Sequence, residues 1–189
     1  MTALPEVERE ADGAVLGTAD TGTLITLAQA GDRRAFGLLV ERHYELIFRT
    51  AYKWSGNRVD AEDIAQEVCV KLATALRSFD GRAAFATWLY RIALNTVRDV
   101  QRSKARRTRQ AAALAVVAPE EHPAEQEEAT AARELWAAVR QLPEKQRDAV
   151  LLVYAEDLSH AAAATIMGCK EATVSWHIFE AKRALKGLL

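Results

Sequence analysis

Between Gln110 and Thr130 the chain carries five Glu, Pro119 and Pro123, and no Lys or Arg. No apolar face recurs along this stretch. It reads as an acidic linker, extended around Pro119 to Pro123, whose charge suits either repelling other anions or simple solubilisation. It limits the whole fold: whatever core forms before it must close separately from whatever core forms after it. Half of the residues are hydrophobic (50%), enough to supply both.

Residues 1–22 hold Pro5, Gly13, Gly17 and Gly22 without sustained periodicity and read as a tail. A first domain then spans 23–109. A short helix is expected over Leu24–Ala30 and a longer one over Arg34–Lys53. In the longer one Phe36, Leu39, Val40, Tyr44, Ile47, Phe48 and Ala51 share a face. Another is expected over Asp60–Leu76, striped by Ile64, Val68, Leu72 and Leu76. Asp60, Glu62 and Asp63 suit the positive end of its dipole. Asp63, Gln66, Glu67 and Lys71 lie off the stripe and should be exposed; the plain reading of such a cluster is a solvated face. Asp80-Gly81 marks a loop, and a long helix follows from Ala83 to about Arg107.

Charge is strongly segregated here, although the net charge is only −1. From Arg77 to Arg109 there are nine Lys or Arg and two acids, Asp80 and Asp99, with Phe79, Phe85, Trp88 and Tyr90 interleaved early on. Cations neutralise phosphates and aromatic rings stack unpaired bases, so the pattern suits nucleic acid. The plainer alternative makes Phe85 core, Trp88 half-buried and the arginines mere solvation. Trp88, Arg91 and Asn95 fall about one turn apart on one side.

The second domain spans 131–189. Leu135, Ala138, Val139 and Leu142 share a helical face, and Pro143 restarts the chain for a helix over Glu144–Glu156. Ser159 can cap a helix over Ala161–Met167, which Gly168 ends. A last helix begins near Glu171 with Val174, Ile178, Ala181 and Leu185 inward. Small Ala164, the turn at Gly168 and inward Val174 stand in a helix-turn-helix pattern, though a plain pair of packed helices has the same outline. The fold class is therefore all-α: two small helical domains joined by a flexible linker.

Several functions are excluded by the same residues. No basic start leads into an apolar run, so no signal peptide is expected, and no run approaches the roughly 18 apolar residues of a membrane span. Cys69 and Cys169 read as reduced thiols in a cytoplasmic protein. His160, Cys169 and His177 fit no compact zinc spacing, so neither metal nor cofactor is expected. No phosphate loop, nucleophile elbow or paired carboxylate suggests an enzyme.

Three stretches resemble a known family. DAEDIAQEVCVKLATAL (Asp60–Leu76), FDGRAAFATWLYRIALNTVRDVQRSKARR (Phe79–Arg107) and LPEKQRDAVLLVYAEDLSHAAAATIMGCKEATVSWHIFEAKRALKGLL (Leu142–Leu189) are similar, in order, to segments of bacterial sigma factors. The similarity is to the extracytoplasmic-function (ECF) group, which carries only sigma domains 2 and 4. It implies core RNA polymerase (beta-prime clamp and beta flap), promoter DNA and an anti-sigma factor as partners, in a stress or envelope-signal response. By resemblance, Asp60, Asp63, Gln66 and Glu67 would hold polymerase. Phe79, Trp88, Arg91 and Asn95 would meet the melted minus-ten strand, and the loop Arg77–Ala84 would capture a flipped base. Arg98, Arg102, Lys104, Arg106 and Arg107 would grip backbone. Lys170, Thr173, Ser175, Trp176 and His177 would read the minus-thirty-five element, with Lys182 and Arg183 on phosphates.

Two places depart from the family pattern. Cys69 and Ala73 stand where bulky aromatics are usual. Ser175 and His177 replace common basic residues, and Trp176 a small polar one; Trp176 could reach DNA or pack within its domain. One alternative is a stand-alone helix-turn-helix regulator of duplex DNA; another is a sigma mimic, against which the Arg98–Arg107 cations argue.

Overall fold

The computed structural model describes residues 18–113 and 130–187. All regular elements among them are helical. The first module holds α1 (Thr21–Gln29), α2 (Arg33–Ser55), α3 (Arg58–Ala75), a 3₁₀ turn at Leu76–Ser78 and α4 (Phe85–Ala113). The second holds α5 (Thr130–Gln141), α6 (Glu144–Val150), a π turn at Leu151–Ala155, α7 (His160–Met167) and α8 (Glu171–Leu185).

Local chemistry sets most boundaries. Asp20 accepts from the Thr23 amide and starts α1 ahead of Gly22, so the tail gives way to helix two residues earlier than its expected end. Asp32 caps α2 through the amides of Arg34 and Ala35, and Asn57 caps α3 through that of Asp60. Between them Gly56 takes φ 70°, the left-handed value that ends a helix cheaply only at glycine. Ser159 caps α7 and Gly168 (φ 65°) closes it, as expected. At the linker, α4 runs on to Ala113, because Gln110 and the alanines after it are good helix formers. The rest of the expected linker, 114–129, lies outside the described residues, as do 1–17 of the tail.

The helix expected over Glu144–Glu156 loosens after Val150. Glu156 N–H reaches back to Leu151 O at 3.0 Å, the wider π spacing. Asp157 follows at φ 53°, a left-handed conformation that Asp tolerates better than most residues. This turn brings Glu156 to face the first module.

The buried apolar residues form one cluster that runs through both modules, in place of the two separately closed cores that the linker suggests. In the first module, Leu24, Leu39, Ile47, Ile64, Val68, Leu72, Leu89 and Val97 are fully or almost fully buried. Each such side chain contributes roughly 1.5–3 kcal/mol relative to exposure. In the second, Leu151, Leu152, Val174 and Ile178 pack with Ala149, Ala163 and Ala181, whose small side chains let α6, α7 and α8 approach closely.

The modules also pack on each other. Trp54 at the end of α2 donates Nε1–H to Asp148 Oδ1 (2.8 Å), and Arg98 on α4 donates Nε–H to Asp148 Oδ2 (3.1 Å) while its Nη2 bonds the same oxygen. Arg98 also pairs with Glu144 (3.1 Å), as does Arg102 (3.4 Å). Arg147 donates to Gln101 Oε1 at 2.9 Å. Below this, Lys53 pairs with Glu156 (2.7 Å) and Tyr90 O–H donates to its other oxygen (2.8 Å). Burial, followed by the bond and charge of Glu156, raises the Tyr90 pKa well above its usual value, which keeps that hydroxyl a donor.

Candidate polymerase and nucleic-acid interfaces

The outer side of α3 is built by the same periodicity that buries its other side. Ala61, Ile64, Ala65, Val68 and Leu72 point inward. Asp63, Gln66 and Glu67 are exposed as expected, and they flank an apolar residue that sequence reasoning passed over, Val70, which is 65% exposed. Val59, also exposed, extends the strip by one turn. Two exposed valines among carboxylates suit a protein partner, with the apolar centre supplying affinity and the rim supplying register. Asp60 does not join this strip. Both of its oxygens accept from Lys104 on α4, at 2.5 and 2.7 Å.

An aromatic cluster stands at the start of α4. Half-buried Trp88 lies 5.0 Å from Phe79 and 5.6 Å from Phe85, ring to ring, and Phe79 meets Phe85 edge-on at 5.4 Å. His43 on α2 backs Phe85 at 5.0 Å. Burial, and then Arg42, lower the His43 pKa, so its ring stays neutral. The loop before α4 turns at Gly81, where Asp80 accepts from the Arg82 amide at 3.1 Å. Gln29 reaches across from α1 and donates to Leu76 O (2.9 Å) and Phe79 O (2.8 Å), pinning the loop that carries Phe79. Its signal in the sequence was only a glutamine near the end of a short helix.

Along α4, Arg91 and Asn95 project outward and Arg102 and Arg106 are exposed farther on. Arg102, Ser103, Arg106 and Arg109 line an open cleft of about 590 Å³. Arg98 departs from the expected row of exposed cations. It is only 9% exposed because Asp148 covers it, and it donates to Asn95 Oδ1 at 3.4 Å. Of the two further backbone cations, Lys104 is taken by Asp60 and Arg107 donates to Ser103 Oγ at 3.2 Å.

In the second module α8 turns Val174, Ile178 and Ala181 inward. Trp176 therefore stands on the far side, 55% exposed, with its ring 4.9 Å from that of His177. Phe179, one turn on and 59% exposed, shares that face, with Arg183 5.9 Å from its ring. Lys170 is exposed and Thr173 half-buried. Ser175 Oγ lies 2.9 Å from His160 Nδ1 on α7, and Lys182 sits over the Tyr154 ring. His177 is turned sideways: its Nδ1 is buried, and burial and Lys145 lower its pKa despite Asp148. Its neutral ring sits against α6, away from the outer face. Cys69 is half-buried, which raises its thiol pKa; Cys169 is half-buried in the turn after α7; both are free. Among the described residues no group of His, Cys, Asp and Glu could hold a metal.

Comparison with known proteins matches this division. The family model Sigma-70 region 2 matches residues 39–107, and Sigma-70, region 4 matches 132–185. The RNA polymerase sigma-H factor of Pseudomonas aeruginosa is 34% identical over 177 residues, 86% of this chain and 90% of that protein. The ECF RNA polymerase sigma-E factor of Escherichia coli K12 is 33% identical over 175 residues, 86% and 90%. Among solved structures, CnrH in complex with the cytosolic domain of CnrY superposes with TM-score 0.64 at 28% identity, over 89% of this chain and 97% of that one. The fold is also that of RpoE in complex with the anti-sigma factor NepR from Bartonella quintana (TM-score 0.64, 24% identity, 81% and 95%). A stand-alone regulator would account for the second module and leave the region 2 match without a role. With an exposed acid-and-valine strip, an aromatic and cationic helix and a helix-turn-helix in one chain, the protein belongs to the extracytoplasmic-function group of RNA polymerase sigma factors.

Proposed function

We propose that the chain holds core RNA polymerase through Asp63, Gln66, Glu67 and Val70 on α3, and opens promoters with α4. Trp88, Arg91 and Asn95 would meet the separated strand, and the loop around Phe79 would hold an unstacked base. Extrusion of a base costs a few kcal/mol, which stacking and edge hydrogen bonds can offset. Arg102 and Arg106 would grip phosphates. In the second module Lys170, Thr173, Ser175 and Trp176, joined by Phe179, would read the minus-thirty-five element, with Lys182 and Arg183 on its backbone. His177 would act indirectly, through the position of α8.

The observation that carries this reading is the outward row Trp88, Arg91 and Asn95 beside an aromatic cluster. Aromatic and cation together on one helix face suit an unpaired strand better than a protein surface. No described helix is long and apolar enough to cross a membrane, and we place the protein in the cytoplasm with polymerase. An anti-sigma partner fits as well, since the RpoE protein of the same fold was solved with one. Chemistry on nucleotides would belong to the polymerase.

Run-off transcription tests the reading. Core polymerase plus this chain, offered a fragmented genomic library from the source organism, should initiate at a limited set of sites absent with core alone. Failure to bind core polymerase would end the proposal.

A further inference from the structure

We propose that His160 sets the sense in which Ser175 reads a base. It takes up the proton of the serine hydroxyl, so that Oγ faces the major groove as an acceptor and selects a base that offers an amino group there, adenine or cytosine. The inference rests on the assignment of α8 to the minus-thirty-five element. The contact that carries it runs between α7 and α8, from His160 Nδ1 to Ser175 Oγ at 2.9 Å.

Both side chains are held in place from behind. Ser159 accepts from the Ala162 amide at 3.1 Å and fixes the first turn of α7, where His160 stands. Buried Ala163 and Ala164 on α7 and buried Val174 on α8 let the two helices cross closely. His160 is half-buried, and Ser175 is exposed on the outer side of α8.

A serine without such a neighbour is an ambiguous reader. Its hydroxyl has one proton and two lone pairs, and it turns to donate or to accept, so it meets any base edge. Here the proton finds two acceptors inside the module. Nδ1 is the nearer at 2.9 Å, and Glu171 O lies at 3.3 Å. Neutral imidazole carries its proton on one nitrogen only, and with N–H on Nε2 the Nδ1 lone pair accepts. The shorter contact holds the proton, and the longer one favours the same inward orientation.

What remains on the groove side is a lone pair. In the major groove adenine N6 and cytosine N4 donate, whereas guanine O6 and N7 and thymine O4 accept. A lone pair facing O6 or O4 sets two acceptors against each other with no proton between them, which costs affinity. The neighbouring Trp176 has the opposite sense, since an indole N–H only donates. His160 is a positioning residue: it touches no base and acts through Ser175.

The test starts from a promoter found by run-off transcription and randomises the bases upstream of its minus-ten element. Each template carries a barcode within its transcript, and polymerase assembled with the full chain transcribes the library. Wild type should show one column in which adenine and cytosine are favoured about five- to tenfold over guanine and thymine on one strand. Ser175→Ala should flatten that column alone. His160→Ala should bring guanine and thymine there to within about twofold of adenine and cytosine, with the other columns unmoved. His160→Asn, whose Oδ1 takes the place of Nδ1, should restore the preference. Nitrogen NMR of the free chain in mildly alkaline buffer reads the pair directly and should find Nδ1 of His160 without a proton. A column that favours guanine and thymine, a His160→Ala profile as sharp as wild type or dimmed equally in every column, or a proton on Nδ1 would overturn the proposal and leave the minus-thirty-five assignment standing. If Ser175→Ala and Trp176→Ala both leave every upstream column unchanged, the assignment of α8 itself fails, and this proposal with it.

Discussion

Two outer faces of the first module, one on α3 and one on α4, come from the same periodicity and end with opposite surfaces. The α3 face shows carboxylates and two exposed valines, and among the described residues no other helix covers those valines. The α4 face shows aromatics and arginines, and the second module covers part of it through Asp148. The contrast is one of partner chemistry. A flat strip with an apolar centre suits a helix of another protein, whereas stacked rings beside cations suit an unpaired strand. It is also one of access, since the α3 face is open while the α4 face is partly covered by the second module.

Substitutions that separate the faces test the contrast, and the largest effect is expected at Trp88. Trp88→Ala removes a stacking surface worth about 1–3 kcal/mol per base, so promoter opening should fall roughly 5- to 150-fold in a fluorescence opening assay. Polymerase affinity should stay within twofold of wild type, about 0.4 kcal/mol. Val70→Asp is the mirror image. A charge at the centre of the α3 strip should weaken polymerase binding by about 2 kcal/mol, near thirtyfold, while binding of single-stranded DNA by the free chain is unchanged.

Gln29→Ala probes how the loop is held. It leaves Leu76 O and Phe79 O without their side-chain donor, at a cost of about 1–2 kcal/mol. Amide exchange should quicken at 77–84 and promoter opening should drop severalfold, with little change in polymerase binding. The smallest effect is at His43. Burial holds its pKa below the ordinary 6.5, so only the unfolded chain gains a proton as pH falls through that value. Stability from this site is complete above pH 6.5 and is lost as pH drops toward the folded-state pKa. Denaturant midpoints should fall over that window, and His43→Phe should flatten the fall.

Much of this was legible in order along the chain. Stripes such as Ile64, Val68 and Leu72 set the helices, and Ser159 and Gly168 set the ends of α7, whereas the Asn57 cap starts α3 at Arg58, two residues before the expected Asp60. Asp63, Gln66 and Glu67 were readable as exposed because they are off the stripe. What was not legible depends on contacts far apart in sequence. Arg98 lies on the polar side of an amphipathic helix, and nothing local says that another module covers it. Asp148 and Glu156 look like surface acids until Trp54 and Tyr90 are found beside them. Val70 and Phe179 lie off the inward stripes of their helices, but a lone apolar residue there carries no local sign of a binding role, and the exposure of Trp176 likewise depends on the packing of its neighbours.

The most direct measurement is permanganate footprinting of thymines in promoter complexes made with wild type, Trp88→Ala and Val70→Asp, each titrated against a fixed amount of core polymerase. Trp88→Ala should saturate polymerase at the wild-type concentration and leave the thymines unreactive. Val70→Asp should need a much higher concentration and then give the full wild-type footprint. A Trp88→Ala complex that melts normally, or a Val70→Asp complex that assembles normally, would contradict the division of labour between the two faces.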